Sequence, residues 1–244
     1  MTEAVPVSSS AHLSLLPWLL RWEPAPDRTT LAAALHAGSC VGLGWAGGGD
    51  LRRTVASRGG RRELVILALT SLPAAVAGAL SGDLVERRMG QPRQVAALLA
   101  TAGLGLWVAD RRPQRHDTVT LPAALTASIL QVAALAPGVS RAAATVSGLR
   151  VCNVERGTAM RFSLVMGLPV SAGAALLTLA RADNVTLRRL APQVALGAPA
   201  AAATAAAVGR WRLRRPARAQ TGVLVYRIGL AGLVLATDRR RRAA

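Results

Sequence analysis

Two short stretches of this chain join a proline turn to a run of helix formers. They are Thr2-Glu3-Ala4-Val5-Pro6-Val7-Ser8-Ser9-Ser10-Ala11-His12 and Pro137-Gly138-Val139-Ser140-Arg141-Ala142-Ala143-Ala144-Thr145. In the second, Pro-Gly makes a turn and Ser140 is a natural N-cap, so the free N–H groups behind it form an anion site. Arg141 adds a planar, permanently charged fork suited to phosphate oxygens. Thr145, one turn further on, offers a hydroxyl to the same face. In the first, Ser8 and Ser9 lie four and three residues before His12, so either hydroxyl can face the imidazole across one turn. That is the nucleophile-beside-base arrangement of covalent or general-base catalysis. Glu3 stands outside that turn, where a carboxylate can hold a divalent cation against an anionic substrate. Local pattern alone allows a plainer account, a capping serine run with an interfacial histidine and a helix start with Arg141 at its edge.

The elements that must position these groups are membrane helices. Of 244 residues 52% are hydrophobic, yet the formal net charge is +18 and Phe, Tyr and Trp supply only 3%. The charge is blocked: stretches free of ionisable residues alternate with clusters such as Arg52-Arg53, Arg61-Arg62 and Arg111-Arg112. Nucleic-acid binding would instead spread basic residues over a surface interleaved with aromatics, and is excluded on that layout. All basic side chains are Arg, which we attribute to codon bias. Cys40 and Cys152 lack metal or redox spacing and are expected to be small apolar fillers. The first apolar run has no charged lead and carries Ser-Ser-Ser and His, so it is not expected to be a cleaved signal.

A bilayer core of roughly 30 Å needs about 20 apolar residues per helix. Six spans are expected: Leu31–Ala46, Glu63–Leu80, Gln94–Ala109, Gly157–Ala180, Leu190–Gly209 and Gly222–Ala236. Val5–Leu20 and Val119–Gly148 are apolar but interrupted by prolines, which free backbone carbonyls that hydrocarbon cannot satisfy. Both are expected to dip into the membrane as re-entrant helix–loop–helix elements. Gln131 is expected to satisfy backbone freed by Pro137, and His36, inside a span, to tie helices together. Pro6-Val7-Ser8-Ser9 also resembles Pro137-Gly138-Val139-Ser140, the trace of an inverted repeat whose broken helices mark a binding site. The expected architecture is one all-α integral membrane domain, residues 1–244, with half-repeats of about 1–109 and 110–244. Gly47–Arg62 and Arg210–Arg218, with five arginines each, are assigned to cytoplasmic loops. Ser81–Arg93 and Arg181–Arg189 then lie outside, and the tail Arg239–Arg242 falls outside against the charge rule.

The two stretches resemble the signature motifs of the undecaprenyl-diphosphate phosphatase family, the bacitracin-resistance proteins. The similarity covers almost the whole chain through Leu19–Glu23 (L-L-R-W-E), Ala34–Gly38 (A-L-H-A-G), Asp83–Arg88 (D-L-V-E-R-R), Arg161–Pro169 (R-F-S-L-V-M-G-L-P) and Tyr226–Ile228 (Y-R-I). The resemblance implies hydrolysis of undecaprenyl diphosphate to the monophosphate, in the bacterial inner membrane, at a site opening to the outer face. It implies that Glu3 is a catalytic or metal-linked carboxylate, that Ser9 and His12 are the nucleophile and base candidates, and that Arg141 clamps the diphosphate. Ser8, Ser140 and Thr145 are implied as supporting hydroxyls. Mg²⁺ or Ca²⁺ is the expected cation, since both take oxygen ligands.

The chain departs from the family pattern at two places. A second carboxylate four residues before Glu3 would precede Met1, so either a start lies upstream or half of an acidic pair is absent. The usual Ser-Gly after the motif arginine is Ala142-Ala143. Two alternatives therefore stand beside the hydrolase: a transporter or flippase of the same architecture, and a catalytically impaired member.

Overall fold

Ala, Leu and Arg lose little rotamer freedom in a helix, and a chain rich in all three takes that form wherever proline and glycine permit. A computed structural model describes residues 3, 5–22, 27–56, 60–215 and 217–243, with side chains set aside at 50–56, 60–64, 68, 83, 86, 87 and 243. The helices are α1 Ser9–Leu20, α2 Arg28–Ala56, α3 Gly60–Met89, α4 Pro92–Asp110, α5 Leu121–Val132, α6 Arg141–Val151, α7 Arg156–Arg181, α8 Asn184–Arg214 and α9 Thr221–Ala243, with a 3₁₀ turn at Ala133–Leu135. The described residues form no strand, only one isolated bridge between His116 and Val154.

Packing is inverted relative to a water-soluble domain. The interior is built mainly from small residues, among them Ala96, Ala124, Ala127, Ala159 and Ala205, while Leu80, Leu196, Val41 and Ile129 stand 68–82% exposed. Small residues inside let helices approach, and large apolar ones outside match lipid. At Gly38 and Gly42 of α2 a Cβ would come within 2.3 and 2.0 Å of the Ala198 and Ala202 carbonyl oxygens of α8. That G-x-x-x-G face is why α2 and α8 lie so close. Arginine–tryptophan pairs mark both ends of the bundle: Arg111 over Trp107, Arg210 over Trp45 and Arg215 over Trp211 at one, Arg241 over Trp18 at the other. This is the aromatic belt of a membrane protein.

Each expected span falls within one helix, and α3, α7, α8 and α9 are long and apolar enough to cross a membrane. The α2 and α4 spans are not among those four; both helices run lengthwise against neighbours, α2 on α7 and α8, α4 on α9. The arginine-rich loops are shorter than expected. Helix α2 continues to Ala56, α3 to Met89 and α8 from Asn184 to Arg214, because arginine is itself a good helix former. Gly47–Arg62 lies partly outside the described residues.

The course of the chain sets the two short helices in opposite directions. Helix α1 ends where α9 ends and α4 begins: Arg241 donates to the Leu19 carbonyl at 3.4 Å, and Arg93 pairs with Asp238. Helix α6 ends at the other extremity, where Asp110 of α4 holds Arg156 of α7 at 2.8 Å and accepts from the Gln220 amide, just before α9, at 3.0 Å. Buried Arg150, at the end of α6, donates to the Asp110 carbonyl there at 3.1 Å. So α1 and α6 run from mid-bundle to opposite ends.

Candidate active site

The two short helices start with the same local device. Ser8 caps α1 at φ 71°, ψ 96°, and Ser140 caps α6 at φ 71°, ψ 118°. Both stand in the left-handed φ range that L residues rarely adopt. Each Oγ accepts, at 3.4 Å, the amide three residues on, from Ala11 and Ala143. The remaining first-turn N–H groups have no partner within the helix, and the two helix dipoles present their positive ends.

Arg227 of α9 binds the two preceding turns together. Its fully buried guanidinium donates to the carbonyls of Pro6 at 3.0 Å, Gly138 at 2.7 Å, Val139 at 3.1 Å and Leu99 at 2.8 Å. One side chain thus satisfies the backbone freed at both proline turns. Gln131, expected in that role, is buried but makes no side-chain hydrogen bond among the described residues.

Glu3 lies between the two helix starts. Its Oε1 accepts from the Ser9 hydroxyl and lies 3.0 Å from His36 Nδ1; its Oε2 accepts from Arg141 Nη2 at 3.2 Å. An ionised carboxylate only accepts, so His36 is the donor in its pair. Arg141 Nη1 reaches back 3.3 Å to the Ser163 carbonyl of α7. Gly167, one turn further along α7, makes the room: a Cβ there would fall 1.2 Å from Arg141 Nη1.

The structure therefore unites Glu3, Ser9 and Arg141 and does not pair Ser9 with His12. His12 Nδ1 lies 2.6 Å from the Ser8 carbonyl and Nε2 lies 2.6 Å from the Tyr226 hydroxyl. A carbonyl cannot donate, so in neutral His12 the proton is on Nδ1 and Tyr226 donates to Nε2. The two rings are parallel, 5.7 Å between centroids. Thr145 is fully buried behind Arg141, bonded to the Arg141 carbonyl at 3.0 Å and to Ser163 Oγ at 2.5 Å. Ser8 and Ser140 are buried as caps.

His36, Ser163, Gly167, Tyr226 and Arg227 belong to the site without having been singled out for it. Their signal in the sequence is a polar side chain, or a glycine, inside an apolar helix; the partner of each is far along the chain. His36, expected only as a tie between helices, meets the carboxylate itself.

Among the described residues no three His, Cys, Asp or Glu side chains converge, and both oxygens of Glu3 already face donors. The arrangement is suited to an anion: one guanidinium and two helix N-termini converge where a hydroxyl sits on a carboxylate.

Fold and geometry together define a polytopic helical membrane protein in which two half-helix N-termini and a guanidinium meet at a carboxylate. The chain belongs to the family described as bacitracin resistance protein BacA, whose model matches residues 1–233. Similar proteins include the undecaprenyl-diphosphatase of Moorella thermoacetica, 37% identical over 254 residues, covering 98% of this chain and 94% of that protein. The undecaprenyl-diphosphatase of Gemmatimonas aurantiaca is 34% identical over 261 residues, 97% of this chain and 93% of the relative. That of Deinococcus radiodurans is 30% identical over 247 residues, 96% and 90%.

Proposed function

We propose that the chain hydrolyses undecaprenyl diphosphate to undecaprenyl phosphate and inorganic phosphate, recycling the cell-wall lipid carrier and supporting bacitracin resistance. The observation that carries this is the Ser9–Glu3–Arg141 cluster at the meeting of two helix N-termini, in a chain that matches named diphosphatases along nearly its whole length. Arg141 and the first-turn amides of α1 and α6 bind the diphosphate oxygens. Ser9 Oγ attacks the terminal phosphorus as its proton passes to Glu3 Oε1, and the bond from that phosphorus to the bridging oxygen breaks, freeing the lipid monophosphate. Glu3 passes that proton to the departing phosphate oxygen; it then takes a proton from the water that attacks the phosphoserine and returns it to the Ser9 oxygen as inorganic phosphate leaves.

His36 orients Glu3 from α2. His12 and Tyr226 fix the first turn of α1 against α9. Ser140 and Ser8 supply the strained caps, and Thr145 backs Arg141. Glu3 would be the carboxylate that meets a Mg²⁺ or Ca²⁺ ion bound with the diphosphate, and the ion would supply charge neutralisation there. The half-repeats are proposed as about 1–109 and 110–244, and the site as facing the outer side of the bacterial inner membrane. A transporter or flippase shares the broken helices, but relatives named as diphosphatases do not favour it.

The test is phosphate release from undecaprenyl diphosphate by the purified protein. Arg141→Ala is expected to lower kcat/KM by about 10²–10³-fold or more. Absence of release by the intact chain, with the lipid bound, would identify an impaired member instead.

A further inference from the structure

The tail Arg239–Arg242 stands against the charge rule, and the Leu-Leu-Arg-Trp stretch ending α1 has no part in the proposed reaction. The structure brings them together. Where the C-terminal ends of α1 and α9 lie side by side, an open cavity of about 400 Å³ is lined by Leu19, Arg21, Thr237, Arg240 and Arg241. Arg241 is fixed there, its guanidinium donating to the Leu19 carbonyl at 3.4 Å and lying over the Trp18 ring, 4.3 Å from its centroid. Arg21 is set by backbone: it caps α1 at φ 56°, ψ 33°, in the left-handed region where glycine or asparagine is the ordinary choice. An L residue with a long charged side chain held in that conformation is an outlier that calls for a use.

Among the described residues neighbouring acid does not neutralise the cavity. Asp238 is engaged with Arg93 and Arg242, at 3.2 Å for the latter. Among the described residues no carboxylate pairs with Arg21, Arg240 or Arg241. The Thr237 hydroxyl, which also lines the cavity, donates to the Leu233 carbonyl at 2.8 Å. Beside the cavity Leu20 and Trp22 are 54% and 63% exposed. The apolar stretch of α9 that can cross a membrane ends at Arg242, so the cavity lies where hydrocarbon gives way to headgroups.

We propose that this cavity binds the phosphodiester headgroup of an anionic phospholipid. Guanidinium forks match the two free phosphate oxygens, basic pockets between membrane helices take such headgroups, and Leu20 and Trp22 lie where the acyl chains would run. The role of the tail arginines is then ligand contact rather than topology. Free phosphate offers the same oxygens without the chains, and the experiment separates the two sources.

The full chain in detergent is titrated with dioleoyl phosphatidylglycerol and, separately, with dioleoyl phosphatidylcholine, and adducts are counted by native mass spectrometry. The intact protein is expected to retain phosphatidylglycerol over phosphatidylcholine. R21Q/R240Q/R241Q is expected to weaken phosphatidylglycerol binding by about tenfold or more, and Arg240→Gln alone, on an exposed last turn, by about threefold to fivefold. R115Q/R181Q/R188Q, which removes the same charge from exposed positions elsewhere, is expected to keep the adducts. Equal loss in both triple variants, or no loss in R21Q/R240Q/R241Q and Arg240→Gln, would overturn the site. Displacement of the lipid by millimolar inorganic phosphate would overturn the lipid assignment in favour of free phosphate.

Discussion

The first turns of α1 and α6 use one backbone design and opposite chemistry. Each is preceded by a proline turn, capped by a serine at φ 71°, and tied through its turn carbonyls to Arg227. Past the caps they diverge: the α1 side brings the carboxylate, the hydroxyl and the imidazole, and the α6 side brings the guanidinium. The difference teaches that the paired scaffold makes a site for an anion, while the unlike side chains make it a site for a reaction. The Glu3–Arg141 contact at 3.2 Å joins the two halves.

Breaking the shared scaffold should have the largest effect on the molecule as a whole. Arg227→Met removes the donor to the turn carbonyls of Pro6, Gly138 and Val139, so a loss of about 3–5 kcal/mol is expected. Thermal unfolding in detergent should show it, and activity should fall with it. A variant as stable as the parent would mean that the two turns hold their shape without the brace.

Disturbing only the α6 half is a finer cut. Gly167→Ala forces Arg141 off Glu3 while leaving both caps intact, and kcat/KM should fall by about 10²-fold, as for loss of one charge-stabilising donor. Melting temperature should move far less than for Arg227→Met. Full activity in Gly167→Ala would show that Arg141 is not seated against α7.

On the α1 half, His36→Ala removes a donor to Glu3 and should lower kcat by about tenfold with a smaller change in KM; His36→Gln, which keeps a donor, should recover part of it. Equal loss in both variants would make His36 a packing residue. Smallest of all is Asp183, the exposed cap of α8. The backbone and side-chain hydrogen bonds from Thr186 hold its carboxyl below the ordinary carboxylate range. A depressed folded-state value means the cap contributes above the unfolded pKa, about 3.9, and is lost as pH falls through the lower folded value. Asp183→Ala should therefore loosen the first turn of α8 at neutral pH, by amide exchange, and abolish that turn's response to acid.

Much of the fold was legible in one dimension. The expected spans Gln94–Ala109 and Gly157–Ala180 fall within two residues at each end of α4 and α7, because charge exclusion is a strong, local signal. Ends at arginine clusters were not legible, since arginine both marks a membrane boundary and continues a helix. Glu3, Ser9 and Arg141 were legible as a set through their motifs. Their pairing was not: spacing on α1 favoured Ser9 with His12, whereas contacts from α2, α6 and α9 draw Ser9 to Glu3 and His12 to Tyr226. The same holds for Arg227, whose four partners lie 88 to 221 residues away along the chain.

The most direct test is a double-mutant cycle on kcat/KM with Glu3→Ala, Arg141→Ala and the double variant. If the two half-helices share one pocket, the double variant is no slower than the slower single, a coupling of about 2 kcal/mol or more. Losses that simply multiply would contradict the account, for they would place the carboxylate and the guanidinium in separate sites.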